Sequence, residues 1–370
     1  MPELVQPLGH TEIVSGLVQS CREERMPHAL LFEGSEGVGK FRAALWLAAA
    51  LLCEKRGDAP CLICGSCKRF QSDSHADVFI IDHRAHAQNA ITIDFIVPRE
   101  NRPKDGYRGP PVEAFLALRS AEGRGKYIIV RESEAMLEEA QNAFLKMLEE
   151  PRPGVHLLLE TSSAGSLLAT VRSRVVPVKF GSVSEAQCRA ILEGQKPFAK
   201  GTPEDAEAIQ RLVRMSGGSP GLALRLHGLA APAMQELIGS ALAGSRSGSD
   251  VAMELFDLKG SFPGKTPAAQ RRTRARIALE MGVELLTDLE RVIAGMDPRE
   301  LPHGMVVGPL LESGRFSDGP ARRRIAETWL KALEDLGLNL SPEGLLDRAL
   351  LSISQHSISQ VGGSLASTPA

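Results

Sequence analysis

A chain of 370 residues exceeds one typical domain, and at roughly 100 to 200 residues per domain two or three are expected. Apolar residues make up 43% and aromatics only 4%, which predicts cores built mostly from Ala- and Leu-rich helices with a few short Val, Ile and Leu strands. A formal charge of −2, from 43 basic and 45 acidic residues, argues against a chain that grips nucleic acid alone and leaves local basic clusters to touch phosphates inside a larger assembly.

The opening MPELVQPLGHTE has neither the basic start nor the apolar core of a signal peptide. The apolar run 43–52 falls short of the roughly 20 residues that span a bilayer, so a soluble cytoplasmic protein without membrane contact is expected. An apolar strand at 29–33 leads into GSEGVGKF at 34–41, and an Ala/Leu-rich helix follows over 38–53. This is the strand, loop and helix context of a phosphate-binding loop. Gly34 and Gly39 let backbone N–H groups wrap a phosphate and Lys40 would pair with its outer oxygens, but Phe41 stands where a hydroxyl would hold magnesium. A glycine-rich turn that binds no nucleotide remains the alternative at this point.

Four of the six cysteines, Cys53, Cys61, Cys64 and Cys67, crowd into fifteen positions, whereas Cys21 and Cys188 stand alone. Four thiolates on one compact loop match a closed, structural zinc site, whose filled tetrahedron has no open position for chemistry. His75 is nearby but surplus to four sulfurs, and reads as a polar residue at a strand start. Further apolar segments at 78–81, 127–130, 155–160 and 175–180, separated by helical patterns, predict a five-stranded parallel sheet covered by helices. The stretch 98–111, with Arg99, Arg102, Lys104 and Arg108 among Pro and Gly, is predicted as an exposed loop.

Strand 127–130 runs into Arg131 and Glu132, where an active nucleotide-hydrolysing enzyme would place an Asp for magnesium and a second carboxylate for the attacking water. Arg131 would repel the metal, and Glu132 reads as a solvated surface acid. Residues 161–180 deliver Arg172 and Arg174 near the last strand, where an arginine can reach a neighbouring subunit's nucleotide. GKT at 264–266 is a decoy, with Lys259 in place of its first glycine and Pro263 and Pro267 beside it.

Beyond Phe180 only helical signals follow. They include a capping box at Ser184 and Gln187, a start at Thr202 before Pro203, a stop at Gly217 and Gly218, and amphipathic helices over 271–294, 320–336 and 342–360. The basic clusters Arg271, Arg272, Arg274, Arg276 and Arg322, Arg323, Arg324 read first as solvated helix faces. The expected boundaries are a sheet domain with its cysteine insert at 1–180, a small helical domain at 181–245, a further helical domain at 246–360 and a disordered tail at 361–370.

Set in order, residues 8–40, the four-cysteine insert, QNAFLKMLEEPRP at 141–153, LLATVRSR at 167–174 and SGGSPGLAL at 216–224 resemble the delta-prime subunits of the bacterial DNA polymerase III clamp loader, in the AAA+ group. The match covers about residues 1–230. The C-terminal third agrees in helical character and position alone. The resemblance implies an AAA+ sheet domain, a helical lid and an all-helical collar. It gives Thr161 the place of the residue that senses the terminal phosphate, and Arg174 that of an arginine donated across a subunit interface, with Val175 where the family usually has Cys. Gly221 stands where active relatives carry a lid arginine.

Phe41, Arg131 and Gly221 thus replace three groups of the hydrolytic site. The implied role is a non-hydrolysing part of the polymerase holoenzyme, within a five-subunit ring of gamma or tau and delta subunits that places a sliding clamp on primed DNA. Structural Zn2+ is implied, and ATP binding at Lys40 is left open. Two rivals are an active gamma/tau-type ATPase, which requires a hydroxyl after Lys40 and acids at 131 and 132, and a zinc-dependent DNA-binding adaptor, which the near-neutral charge and the lack of aromatics among the cysteines oppose.

Overall fold

The computed structural model describes residues 4–100, 106–198, 201–312, 316, 318–338 and 340–357. The expected tail at 361–370, the end of the last predicted helix, and the loop residues Arg102 and Lys104 lie outside them. The chain forms two compact units, one of residues up to Ile191 plus Gly218–Leu222, the other of Leu192–Gly217 and the chain from Ala223 onward.

The first unit is built on strands β1 (Ala29–Glu33), β2 (Val78–Ile81), β3 (Lys126–Val130), β4 (Val155–Thr161) and β5 (Val176–Lys179), all parallel, in the order β2-β3-β4-β1-β5. This is the sheet expected for the AAA+ fold class. The central strands are buried on both faces, which is why they read as unbroken apolar runs rather than as alternating ones.

Helices α1 (Thr11–Arg22), α2 (Lys40–Leu52) and α3 (Gly65–Gln71) cover one face, where Phe32, Trp46, Leu47, Tyr127 and Leu158 form a core. On the other face lie α4 (Val112–Ala117), α5 (Glu138–Glu149) and α6 (Ala169–Arg172), packed on Leu31, Ile128, Phe144, Leu159 and Val175. Helix α7 (Glu185–Glu193) follows, started by the Ser184 and Gln187 box in which each residue bonds the other's backbone N–H (3.1 and 3.2 Å). The stretch 98–111 is not wholly exposed as predicted. Tyr107 is buried, its ring stacked on Phe95 with centroids 3.7 Å apart.

The second unit is helical throughout its described residues, with α8 (Pro203–Met215), α9 (Pro220–Gly228, whose first turn belongs to the sheet unit), α10 (Ala231–Ala243), α11 (Gly248–Asp257), α12 (Pro267–Ile293), α13 (Gly304–Glu312), α14 (Gly319–Leu336) and α15 (Pro342–Ser357). Thr202 and Asp205 make a full capping box at the start of α8. The 264–266 decoy is a helix start: Thr266 Oγ1 accepts from Ala269 N (3.2 Å) and Pro267 fills the first turn of α12.

Trp329, Leu285 and Leu346 centre the core of this bundle. Buried His303 is held on all sides, by Gln235 at Nδ1 (2.8 Å), Glu284 at Nε2 (3.1 Å) and Asp288 at its backbone N (3.1 Å). None of the described helices is long and apolar enough to cross a membrane.

Helix α12 meets α14 at Gly282, where an added Cβ would lie 1.7 Å from the Trp329 ring. Gly282→Ala should therefore destabilise the helical unit by about 1 to 3 kcal/mol despite alanine's better helix propensity. Thermal or urea unfolding followed by far-UV circular dichroism measures this; an unchanged or raised midpoint would contradict the packing described.

Candidate functional site

Parallel strands present their carboxyl ends together, so residues 34–40 after β1, Arg131 and Glu132 after β3, and Glu160 and Thr161 at the end of β4 gather at one edge. The carbonyls of the loop are taken up within the chain. Lys40 Nζ donates to the oxygens of Gly34 and Ser35 (both 2.8 Å), Gly37 O accepts from Gly221 N (2.8 Å), and the buried His10 ring meets Val38 O (3.0 Å). The N–H groups of Gly37, Val38 and Gly39 make no hydrogen bond among the described residues, and with the start of the 13-residue α2 they form a donor surface suited to an anion.

Two glycines are required here by space as well as by dihedral angle. A Cβ on Gly34 (φ +156) would lie 2.1 Å from Phe180 O, and one on Gly37 (φ +80) would lie 2.2 Å from Leu222 N. Gly221 is the other half of that contact, since its own Cβ would meet the Gly37 backbone at 2.9 Å. At this point the chain places backbone directly on the loop.

Arg131 lies with its guanidinium 5.1 Å from the centre of the Phe41 ring and pairs with Asp82 (2.8 Å), the residue that follows β2. Burial is the largest single influence on Asp82 and pushes its carboxyl up, but the hydrogen bond and charge of Arg131, with the backbone N–H groups of Ala85 and Arg84, together hold it below its ordinary range. A ring and a cation at these two positions provide no oxygen shell for magnesium. Glu132 is not the solvated acid that was expected; its side chain is mostly buried and pairs with Arg84 (2.9 Å) and His83 (3.1 Å).

Sequence reasoning missed Glu160. Its side chain shares the α2 face with Leu158 and Phe32, and burial pushes its pKa up to about 7 even though Lys40 and Arg131 both act to lower it. Burial in turn lowers Lys40, with Glu160 the largest opposing influence. The available signal was a charged residue closing the otherwise apolar run of β4.

Thr161 is buried, and its Oγ1 accepts from Ser163 N (3.0 Å). Arg174 is remote from the loop in sequence and sits beyond the end of α6, at the β5 edge of the sheet, while Val175 beside it is buried in the core. Its Nη1 donates to Thr170 O (3.0 Å) and Ser173 Oγ (3.2 Å), and its Nη2 pairs with Glu149 (2.9 Å). Arg172 is exposed.

The segment that carries Arg174 is tied down by Gln141, a residue quoted only within a motif at the sequence level. Buried on α5, Gln141 accepts from Leu168 N (2.7 Å) and donates to Met136 O (3.0 Å). An amide among Ala140, Phe144 and Leu148 on the inward stripe of α5 was the clue to it.

The four cysteines converge: all four Sγ atoms lie within 4.8 Å of one another, with Cys53 and Cys64 at 4.0 Å. A tetrahedral ion with bonds of about 2.3 Å needs sulfurs roughly 3.8 Å apart, so the set fits a metal such as zinc. Backbone N–H groups of Cys61, Cys64 and Cys67 point at the sulfurs of Cys53, Cys61 and Cys64 (each 3.4 Å), a donor pattern that stabilises thiolate.

His75 stays outside this cluster. Its Nδ1 accepts from Asp77 N (3.1 Å), so its proton sits on Nε2 toward Ser66 Oγ (2.9 Å), which in turn donates to Leu52 O (2.8 Å). Several of the basic residues farther along are spent on internal contacts. Arg271 pairs with Glu343 (3.3 Å), Arg274 donates to Leu258 O (2.8 Å), and Arg322 pairs with Glu290 (2.5 Å).

Residues 9–184 match the family model described as DNA polymerase III, delta subunit. The chain is 34% identical to the DNA polymerase III subunit delta' of Pseudomonas aeruginosa over 203 residues, covering 54% of this chain and 56% of the relative. It is 32% identical to the Bacillus subtilis subunit delta' over 44% and 45% of the two chains, and 29% identical to the subunit tau of Escherichia coli over 57% and 30%. The chain thus matches at most about half the length of these curated relatives. A solved gamma subunit-related protein of Thermotoga maritima superposes with a TM-score of 0.46 at 15% identity, over 94% of this chain and 99% of that one. The resemblance to the delta-prime clamp-loader subunits stated from sequence is borne out over the first half of the chain.

Two measurements test the site. Metal analysis of the purified protein should find about one zinc per chain, and Cys64→Ser should lose it while the far-UV spectrum of the sheet unit persists; a metal content unchanged by the substitution would contradict the cluster. For Glu160 the sign follows from its raised pKa. The folded chain keeps this proton to about pH 7 while the unfolded carboxyl releases it near 4.5, so stability falls as pH rises between those values. Glu160→Gln should flatten that slope in urea titrations at pH 5 and 8; an unaltered slope would place the buried proton elsewhere.

Proposed function

We propose that this chain is a delta-prime-like, non-hydrolysing subunit of a DNA polymerase III clamp loader, working beside gamma or tau and delta subunits in a five-membered ring that places a sliding clamp on primed DNA. The observation that carries the reading is a contrast between two edges of one sheet. At the loop edge, Phe41, Arg131 and Gly221 take the places of the magnesium hydroxyl, the metal carboxylate and the lid arginine, while at the β5 edge Arg174 stands partly exposed with donors to spare.

Phosphoryl transfer is catalysed almost entirely by positioning and charge, so three replaced groups remove turnover at Lys40. Gly34, Gly39, Lys40 and Thr161 keep the shape of a phosphate cradle, and their contribution is to hold the fold around it. Arg174 is the arginine this chain lends to the ATP site of a neighbour, where it would meet charge developing on the transferred phosphate. Zinc at Cys53, Cys61, Cys64 and Cys67 holds the insert together and takes no part in chemistry. The helices from α11 onward serve as the collar that joins the ring, and DNA is met within the assembled ring.

The similarity to tau makes an active ATPase the second reading, and the ring and cation at positions 41 and 131 stand against it. The purified chain should hydrolyse ATP no faster than buffer, and brisk turnover by the isolated protein would favour the second reading. In a reconstituted ring, Arg174→Ala should lower hydrolysis at the adjacent site by at least about ten-fold, since an arginine of this kind is worth roughly 10³ or more, while assembly survives. Hydrolysis at the wild-type rate would remove Arg174 from the mechanism.

A further inference from the structure

We infer that Glu149 is a positioning residue for Arg174, setting the guanidinium before a neighbour's nucleotide arrives; this rests on the reading of Arg174 given above. The backbone at Arg174 is already fixed, by its N–H bonded to Val171 O (3.0 Å) and by the buried Val175. The long side chain is a separate matter. Two of its contacts, Thr170 O and Ser173 Oγ, come from its own turn and move with it. Among the described residues Glu149 makes the one recorded contact from another element, at 2.9 Å from Nη2, and α5 is itself anchored by Phe144 and Leu148 in the core.

Glu149 ends α5, where the negative pole of the helix disfavours an acid, by several tenths of a kcal/mol at an exposed site. A local rule broken at the place where an arginine needs a partner points to a purpose other than helix stability. The donor count agrees. A guanidinium has five N–H groups, and with Nη1 serving Thr170 and Ser173 and Glu149 held as the ion partner of Nη2, the Nε hydrogen has no acceptor among the described residues. The Nε and Nη2 side of a guanidinium is a fork that matches two oxygens of one phosphate.

The test uses a reconstituted ring in which the other ATP sites are silenced by substituting their loop lysines, so that turnover reports the site beside this chain. Glu149→Ala should lower kcat on the order of ten-fold with KM for ATP unchanged, because misplacing a catalytic group costs rate rather than ground-state binding. Glu149→Gln keeps an acceptor oxygen and should retain most of the rate. Adding Glu149→Ala to Arg174→Ala should cost nothing further, since the first acts only through the second.

Wild-type kcat in Glu149→Ala, or losses that multiply in the double variant, would overturn the role of Glu149 while leaving that of Arg174 intact. A ring that no longer assembles with Glu149→Ala, or no rescue by Gln, would also overturn it, in favour of a structural role for the acid. Unchanged turnover in Arg174→Ala alone removes the underlying reading and this inference together.

Discussion

A cation withdrawn from water must meet an anion inside the protein, and the carboxyl edge of this sheet is arranged around that constraint. A nucleotide with its metal would bring both signs of charge to such an edge. Here the chain supplies partners of its own: Arg131 is matched by Asp82, Lys40 is held by the carbonyls of Gly34 and Ser35, and Glu132 is matched by Arg84 and His83. Phe41 gives the guanidinium of Arg131 an aromatic face in addition. These contacts therefore form one connected arrangement, in which reversing Arg131 to an acid would leave Asp82 facing a like charge.

The same principle separates the two edges. Glycines at 34, 37 and 221 let backbone approach backbone so closely that the cradle is lined by main chain rather than by catalytic side chains. At β5 the reverse holds. The backbone of Arg174 is bonded to Val171 O, adjoins the buried Val175 and lies in a segment braced through Gln141, while its side chain projects with an unspent donor at Nε. Rigid support beneath an exposed charge is what a group acting on another molecule requires.

The cysteine insert solves a smaller problem by other means. A loop of twelve residues between α2 and α3 has too few apolar side chains for a core of its own, and converging sulfurs with their N–H donors take over that task. His75, close in sequence and rich in metal-binding chemistry elsewhere, instead carries a proton to Ser66 and links the insert to the end of α2.

Much of this was legible in the amino-acid order. The strand, glycine loop and helix at 29–52, the clustered cysteines, the parallel strands and the capping signals at Ser184 and Thr202 are all local, because period, spacing and turn chemistry act over a few residues. What tertiary structure decided was pairing at a distance. Glu132 looked like a surface acid until the chain after β2 brought His83 and Arg84 against it, and the 98–111 loop looked exposed until Tyr107 stacked on Phe95. Asp82 with Arg131, Glu149 with Arg174 and the depth of Glu160 belong to the same class, since a charge's environment is set by which strands lie side by side. Sequence determines which groups the chain owns and how each segment folds; only the packed sheet decides which charges meet and which remain available to another molecule.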